Sequence, residues 1–289
     1  LKKGMYRVCI DSTHKHGSLT YAELVIPGKS TDEILISTYI CHPSMANNEL
    51  SGPCVATYLA KWIQSLPARE YTYRVLFIPE TIGSIVYLSQ NIEHLKNNVI
   101  AGYNVTCIGD DRCYSYLPSR NGNTISDRIA LHVLNNHVGN FKKYSYLERG
   151  SDERQYCSPG VDLPIASIMR SKYGEYPEYH TSLDDLTLIT PEGLNGGYTV
   201  LRKAIEIIEH NCKPKNTVLC EPQLGKYGLY PTLSTKSSGT KVKVMMDFLA
   251  YCDGKNSLLE IAEIIGVSFW EIQPLYRILK DHGLVEGMR

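Results

Sequence analysis

The segment EILISTYICHPSMANNELSG, residues 33–52, decides the fold. Glu33 to Ile40 form a nearly continuous apolar run, which is how a strand covered on both faces reads. GPCVATYLAKWIQSL (52–66) follows with apolar residues at helical spacing. The turn between them crowds His42, Asn47, Asn48 and Glu49 into a few positions. In a parallel sheet, ligands collect beyond the carboxyl ends of the strands, so this polar turn is the first candidate site.

Outward from it, YRVCID (6–11) and YAELVIP (21–27) read as strands. YRVLFIP (73–79) and VIAGYNVTCIG (99–109) read as further buried strands, and DLPIASIMR (162–170) as another. SIVYLSQNI (84–92) reads as a short helix. ISDRIALHVLNNHV (125–138) reads as an amphipathic helix with Ser126 at its N-cap, and GLNGGYTVLRKAIEIIEH (193–210) as a helix introduced by Pro191. Alternation of this kind predicts an α/β fold, a mainly parallel sheet sandwiched by helices.

The composition changes after His210. Residues 211–240 are rich in Pro, Gly, Ser, Thr and Lys, and beyond them three helical segments end in GLV, which looks like a winged helix. The expected organisation is an α/β domain over 1–213, a linker over 214–240 and a small winged-helix-like domain over 241–289. The sequence opens at Leu1, without methionine and almost directly on a strand, so its N-terminal part is expected to be missing.

Hydrophobic content of 43% in 289 residues is enough for a sizeable core. Thirty basic and thirty acidic residues cancel, so no net field draws the molecule to nucleic acid or an anionic membrane. No apolar run reaches the ~20 residues that span a bilayer. The nine cysteines are an odd number without a C-x-x-C pair, and Cys41, Cys54 and Cys107 fall in apolar strands and helices. Free thiols of that kind point to a reducing, cytoplasmic setting. From Pro231 to Arg289, seven basic residues meet seven acidic ones. Phosphate contacts dominate nucleic-acid affinity, so this tail is expected to serve packing or homo-oligomerisation instead.

The other strand ends carry chemistry too. Glu80 follows the strand at 73–79, Asp110 and Asp111 follow the one at 99–109, and GEYPEYHTSLDD (174–185), with His180, follows the one at 162–170. Each piece has a plainer reading: a surface histidine, an acid at a helix N-terminus, or a capping turn. Their recurrence at corresponding ends of successive elements favours one shared site.

The order H-P-S…N-N-E-L-S-G, F-I-P-E-T-I-G-S, Y-H-T-S-L-D-D resembles the co-catalytic zinc aminopeptidases, whose relatives include glutaminyl cyclase. The match spans residues ~5 to ~210 of this chain. A closer likeness is to bacterial aminopeptidase-like proteins associated with polysaccharide biosynthesis, in which C-H-P-S, an A-N-D-N-L-S-G-like segment and G-S-D-E-R-Q-Y precede a terminal winged helix. The resemblance implies a zinc aminopeptidase-like fold, with His42 and His180 on metal-binding positions. It makes Glu80 the general base that takes a proton from metal-bound water. It also exposes departures: Ser44, Asn48, Thr81 and Thr106 stand where the family has carboxylates.

Two divalent ions ~3.5–4 Å apart need several anionic ligands, so one zinc is expected in place of two. A catalytic zinc takes three protein ligands and keeps a position open. His42 and His180 supply two, and Asn48 or Glu49 the third, with Asp110, Asp111 and Asp152 as outside candidates. Glu49, Asp152, Glu153 and Tyr156 are the expected substrate-binding residues. The expected function is hydrolysis of an amide bond in a small peptide-like or sugar-linked substrate. The rival expectation is a catalytically silent binding protein of polysaccharide biosynthesis.

Overall fold

The computed structural model describes residues 2–230 and 236–288; Leu1, Arg289 and positions 231–235 of the expected linker lie outside the described residues. The strands are β1 (Ala22–Ile26), β2 (Glu33–Tyr39), β3 (Thr72–Ile78), β4 (Val99–Asn104), β5 (Ser115–Leu117), β6 (Lys142–Lys143), β7 (Ile165–Met169), β8 (Lys213–Asn216) and β9 (Val285–Met288). The helices are α1 (Ser51–Ser65), α2 (Ile82–Asn98), α3 (Ile125–Val133), α4 (Glu153–Tyr156), α5 (Pro191–His210), α6 (Lys236–Ala250), α7 (Leu258–Ile265) and α8 (Phe269–Asp281).

Seven strands form one sheet in the order β1-β3-β2-β4-β7-β5-β6. Its centre, β3-β2-β4-β7, is parallel throughout, and β1 and β5 join antiparallel. All seven residues of β2 are buried. Their alternation explains why: Ile34 and Ile36 enter a core with α1, α3 and α5, whereas Leu35 enters a second core with α2 and Tyr156. Each such aliphatic side chain contributes about 1.5–3 kcal/mol on burial. The sheet therefore holds its strand ends rigidly, and the connections beyond them carry the polar groups.

Several elements differ from the sequence reading. Residues 6–11 form no strand; Val8 and Ile10 are 79% and 82% exposed, because no described segment pairs with them. The short helix expected at 84–92 runs the length of α2. Strand β4 stops at Asn104, and α3 gives way to a π-type turn, Leu134–Val138. Thr124, not Ser126, caps α3, in a reciprocal pair with Asp127, while the Ser126 hydroxyl bonds Pro164 and Gly102. Within the stretch read as a linker, β8 pairs antiparallel with β9, and Leu224–Tyr227 makes a 3-10 turn. Among the described residues no helix is long and apolar enough to cross a membrane.

Candidate metal centre

The turn after β2 is pinned from a distance. Ala46–Leu50 forms a π-type turn leading into α1. The buried Asp184 carboxylate accepts hydrogen bonds from the backbone N–H groups of Ala46, Asn47 and Asn48 at 3.1, 2.6 and 3.1 Å, and from the Tyr176 hydroxyl at 2.9 Å. A carboxylate at this end satisfies orphan donors and complements the local dipole. Asn47 ties the turn to the loop that follows β4, its Oδ1 accepting from Gly109 N and Asp110 N. Gly52 is required here, since a Cβ would lie 2.5 Å from both Thr38 Oγ1 and the Val105 carbonyl.

This frame presents His42. Glu49 Oε2 accepts from the His42 backbone N–H at 2.7 Å and faces Nδ1 at 3.2 Å. A carboxylate on Nδ1 places the proton there and leaves the Nε2 lone pair free, the arrangement commonly found behind metal-binding histidines. Nε2 lies 3.6 Å from Glu80 Oε2. The His180 ring lies beside that of His42, centroids 5.2 Å apart, and stacks on Tyr179 at 4.0 Å. Burial is the main force raising the Glu80 carboxyl above its ordinary range; a hydrogen bond from Ser151 and the charge of His42 oppose it.

Glu80 sits before a strained residue: Thr81 has φ 65° and ψ −68°. Such a conformation persists where its surroundings over-determine it. Here Asp152 Oδ1 accepts from Thr81 N at 2.7 Å and from Ser84 Oγ at 2.8 Å, and Arg154 donates to Thr81 Oγ1 at 2.6 Å. Burial pushes the Asp152 carboxyl up to about 7. Ser44, Cys107 and His180, with φ of 64°, 46° and 55°, share the left-handed backbone, so unusual conformations gather at this edge.

Of the residues expected at the site, His42, His180, Glu49 and Glu80 come together. Asn48 is buried and committed elsewhere: its Oδ1 accepts from the Tyr39 hydroxyl at 2.7 Å and faces the Cys107 thiol at 3.6 Å. Tyr39 also bonds Thr106. A neutral hydrogen-bonded cluster thus fills the ground where the resemblance places two carboxylates. Glu49 orients His42 and does not line a cleft. Asp152, Glu153 and Tyr156 are fully buried, Glu153 accepting from Gly150 N, Ser151 N, Tyr173 and Asn104, and Tyr156 bonding Ser37. They support the site from beneath and form no wall of a substrate cleft. Asp110 is buried on Asn47 and Ser171, and Asp111 faces Thr190.

Cys41 escaped the sequence reading because it was assigned to the apolar strand. That strand ends at Tyr39, and Cys41 lies exposed in the turn, its Sγ accepting from Glu80 N at 3.2 Å. Cys41, His42 and Glu80 each offer a donor atom within 4.8 Å of the others. Tetrahedral ligands with bonds of about 2.0–2.3 Å stand about 3.3–3.8 Å apart, so the His42–Glu80 separation suits a shared ion. The donors fit one divalent cation.

Fold and site together define an aminopeptidase-like α/β protein with a C-terminal winged helix. The chain belongs to the family described as a domain of unknown function, DUF4910, which matches residues 9–211. A winged helix-turn-helix family matches residues 212–287. A Clostridium acetobutylicum protein, named for polysaccharide biosynthesis and an aminopeptidase-like domain, is 42% identical over 279 residues, 94% of this chain and 64% of that protein. A crystal structure from the same organism, named provisionally as a peptidase, superposes with TM-score 0.85 at 39% identity, covering 93% of this chain and 60% of that one. The chain therefore spans under two thirds of both relatives. The zinc aminopeptidase of Bacillus subtilis shares the fold at TM-score 0.56 and 15% identity, over 65% of this chain and 49% of its own.

Proposed function

We propose that this chain carries a hydrolytic centre of aminopeptidase type, acting on an amide bond in a small peptide-like or sugar-linked substrate around a single zinc ion. One observation carries the reading: Glu49 fixes His42 so that Nε2 faces Glu80, with His180 alongside. His42 and His180 would hold the ion, which when bound supplies Lewis-acid polarisation of the scissile carbonyl and of water. Glu80 Oε2 is the proton carrier, taking a proton from the attacking water and returning it to the leaving nitrogen. Burial raises its pKa, the direction that suits a group which must both take and return a proton. A two-ion centre is disfavoured by the neutral Tyr39–Asn48–Thr106 cluster.

That same cluster favours the second reading, a silent aminopeptidase-like fold that binds components of polysaccharide biosynthesis. Metal analysis separates the two. The hydrolase reading expects about one equivalent of zinc, lost in His42→Ala and His180→Ala. It expects Glu80→Gln to keep the zinc and to lose about 100-fold or more of aminoacyl-amide hydrolysis. Zinc-replete protein that purifies without metal would count for the silent fold.

A further inference from the structure

With Asn48 committed to Tyr39 and Glu80 assigned to proton transfer, His42 and His180 leave the ion without a third protein ligand. We propose that Cys41 supplies it as a thiolate, making this a thiolate–imidazole site that selects zinc; this rests on the hydrolase reading above. The Cys41 Sγ accepts the Glu80 backbone N–H at 3.2 Å, which places it beside the residue whose carboxylate faces His42 Nε2. Cys41, His42 and Glu80 are the group of three metal-binding side chains that converge among the described residues. Cys41 also stands in an exposed turn, so rotation about its χ1 moves Sγ without disturbing the core.

Charge gives the reason for a thiolate. Ser44, Asn48, Thr81 and Thr106 occupy the positions where the resemblance has carboxylates, which leaves two neutral imidazoles to hold a dication. One thiolate returns a negative charge and leaves Glu80 free to move protons. Sulfur and imidazole donors together prefer zinc, or cobalt as its substitute, over magnesium, calcium and manganese. On binding, the S–H bond breaks, its proton passes to the buffer and a sulfur–metal bond forms; no electron changes hands.

The test uses the 289-residue chain with the exposed Cys9, Cys54 and Cys220 changed to serine, freed of metal by chelation and titrated with cobalt(II) or zinc. We expect one equivalent of cobalt to bind with a near-ultraviolet thiolate-to-cobalt band, and about one proton to be released per ion. Cys41→Ser should abolish the band and weaken zinc by about 100-fold, at least the loss that follows removal of an outer partner. Zinc should also shield Cys41 of the parent from alkylation. Stoichiometric binding without the band, and with zinc affinity unchanged in Cys41→Ser, would overturn the assignment and leave His42 and His180 as ligands. No bound ion in the parent, indistinguishable from His42→Ala, would overturn this assignment and the hydrolase reading together.

Discussion

Asp184 shows how one side chain sets the geometry of a site it does not enter. Its carboxylate receives three consecutive backbone N–H groups of the turn that carries Asn48 and Glu49, and Glu49 in turn orients His42. Asp184→Ala would leave those donors buried without partners. Each buried unsatisfied group costs about 1–3 kcal/mol, partly relieved by water, so we expect a loss near 3 kcal/mol in urea unfolding. We also expect weaker zinc binding from a loosened His42, whereas a stability change under 1 kcal/mol would show that the turn holds itself. That Asp184 or Asp185 could cap was legible in the sequence; which turn Asp184 caps was not. Capping signals are read within a few positions, but Asp184 caps residues 136 to 138 positions earlier in the chain. His42, Glu80 and His180 could be read, because each follows a strand whose apolar run is visible. Asn48 was misread for the opposite reason: its position fits a ligand, and its partner Tyr39 is known to approach it only once the strand is folded.

At the scale of elements, the buried strands announced themselves and the first one did not exist. EILISTY is apolar throughout because both faces are covered, and the structure buries it whole. YRVCID alternates as a strand should, yet alternation needs a neighbour to become structure, and among the described residues it has none. The winged helix raises a similar question of context. Its α8 is the element that such folds insert into a DNA groove, leading with the helix N-terminus. Here Phe269 is buried, its backbone N–H donates to His132 of α3 at 2.9 Å, and Trp270 lies under Lys203 of α5. Base edges come within reach of this end only if α8 leaves that packing, and the tail has no net charge for phosphate contacts. We expect fluorescence anisotropy with labelled duplex DNA, at about 0.15 M salt, to show nothing tighter than the ~10⁻⁴–10⁻⁶ M of non-specific binding. Saturable binding in the nanomolar range would mean that α8 leaves this packing.

For the whole molecule, that same contact couples the tail to the sheet through a titratable group. His132 Nε2 can accept from Phe269 N only while it is unprotonated, and burial pushes its pKa below the ordinary value of about 6.5. The groups around it are Glu263, whose charge partly opposes the shift, and Arg128, paired with Glu260 and Glu263. Trp270 stands 6.1 Å away, with Lys203 above it. A base with a depressed pKa in the folded state binds its proton more readily when unfolded. Its share of stability is therefore complete above about 6.5 and is lost as the pH falls below that value toward the lower folded pKa. Urea unfolding followed by Trp270 fluorescence, in a Trp62→Phe background, should show midpoints that fall from pH 7 to pH 5. His132→Leu leaves the Phe269 N–H without its acceptor, so we expect it to lose about 1–3 kcal/mol at pH 8. The same variant should lose part of the acid slope, because the residue that took up the proton is gone. A slope identical in the two proteins would place the acid sensitivity in other groups and leave His132 as a packing residue.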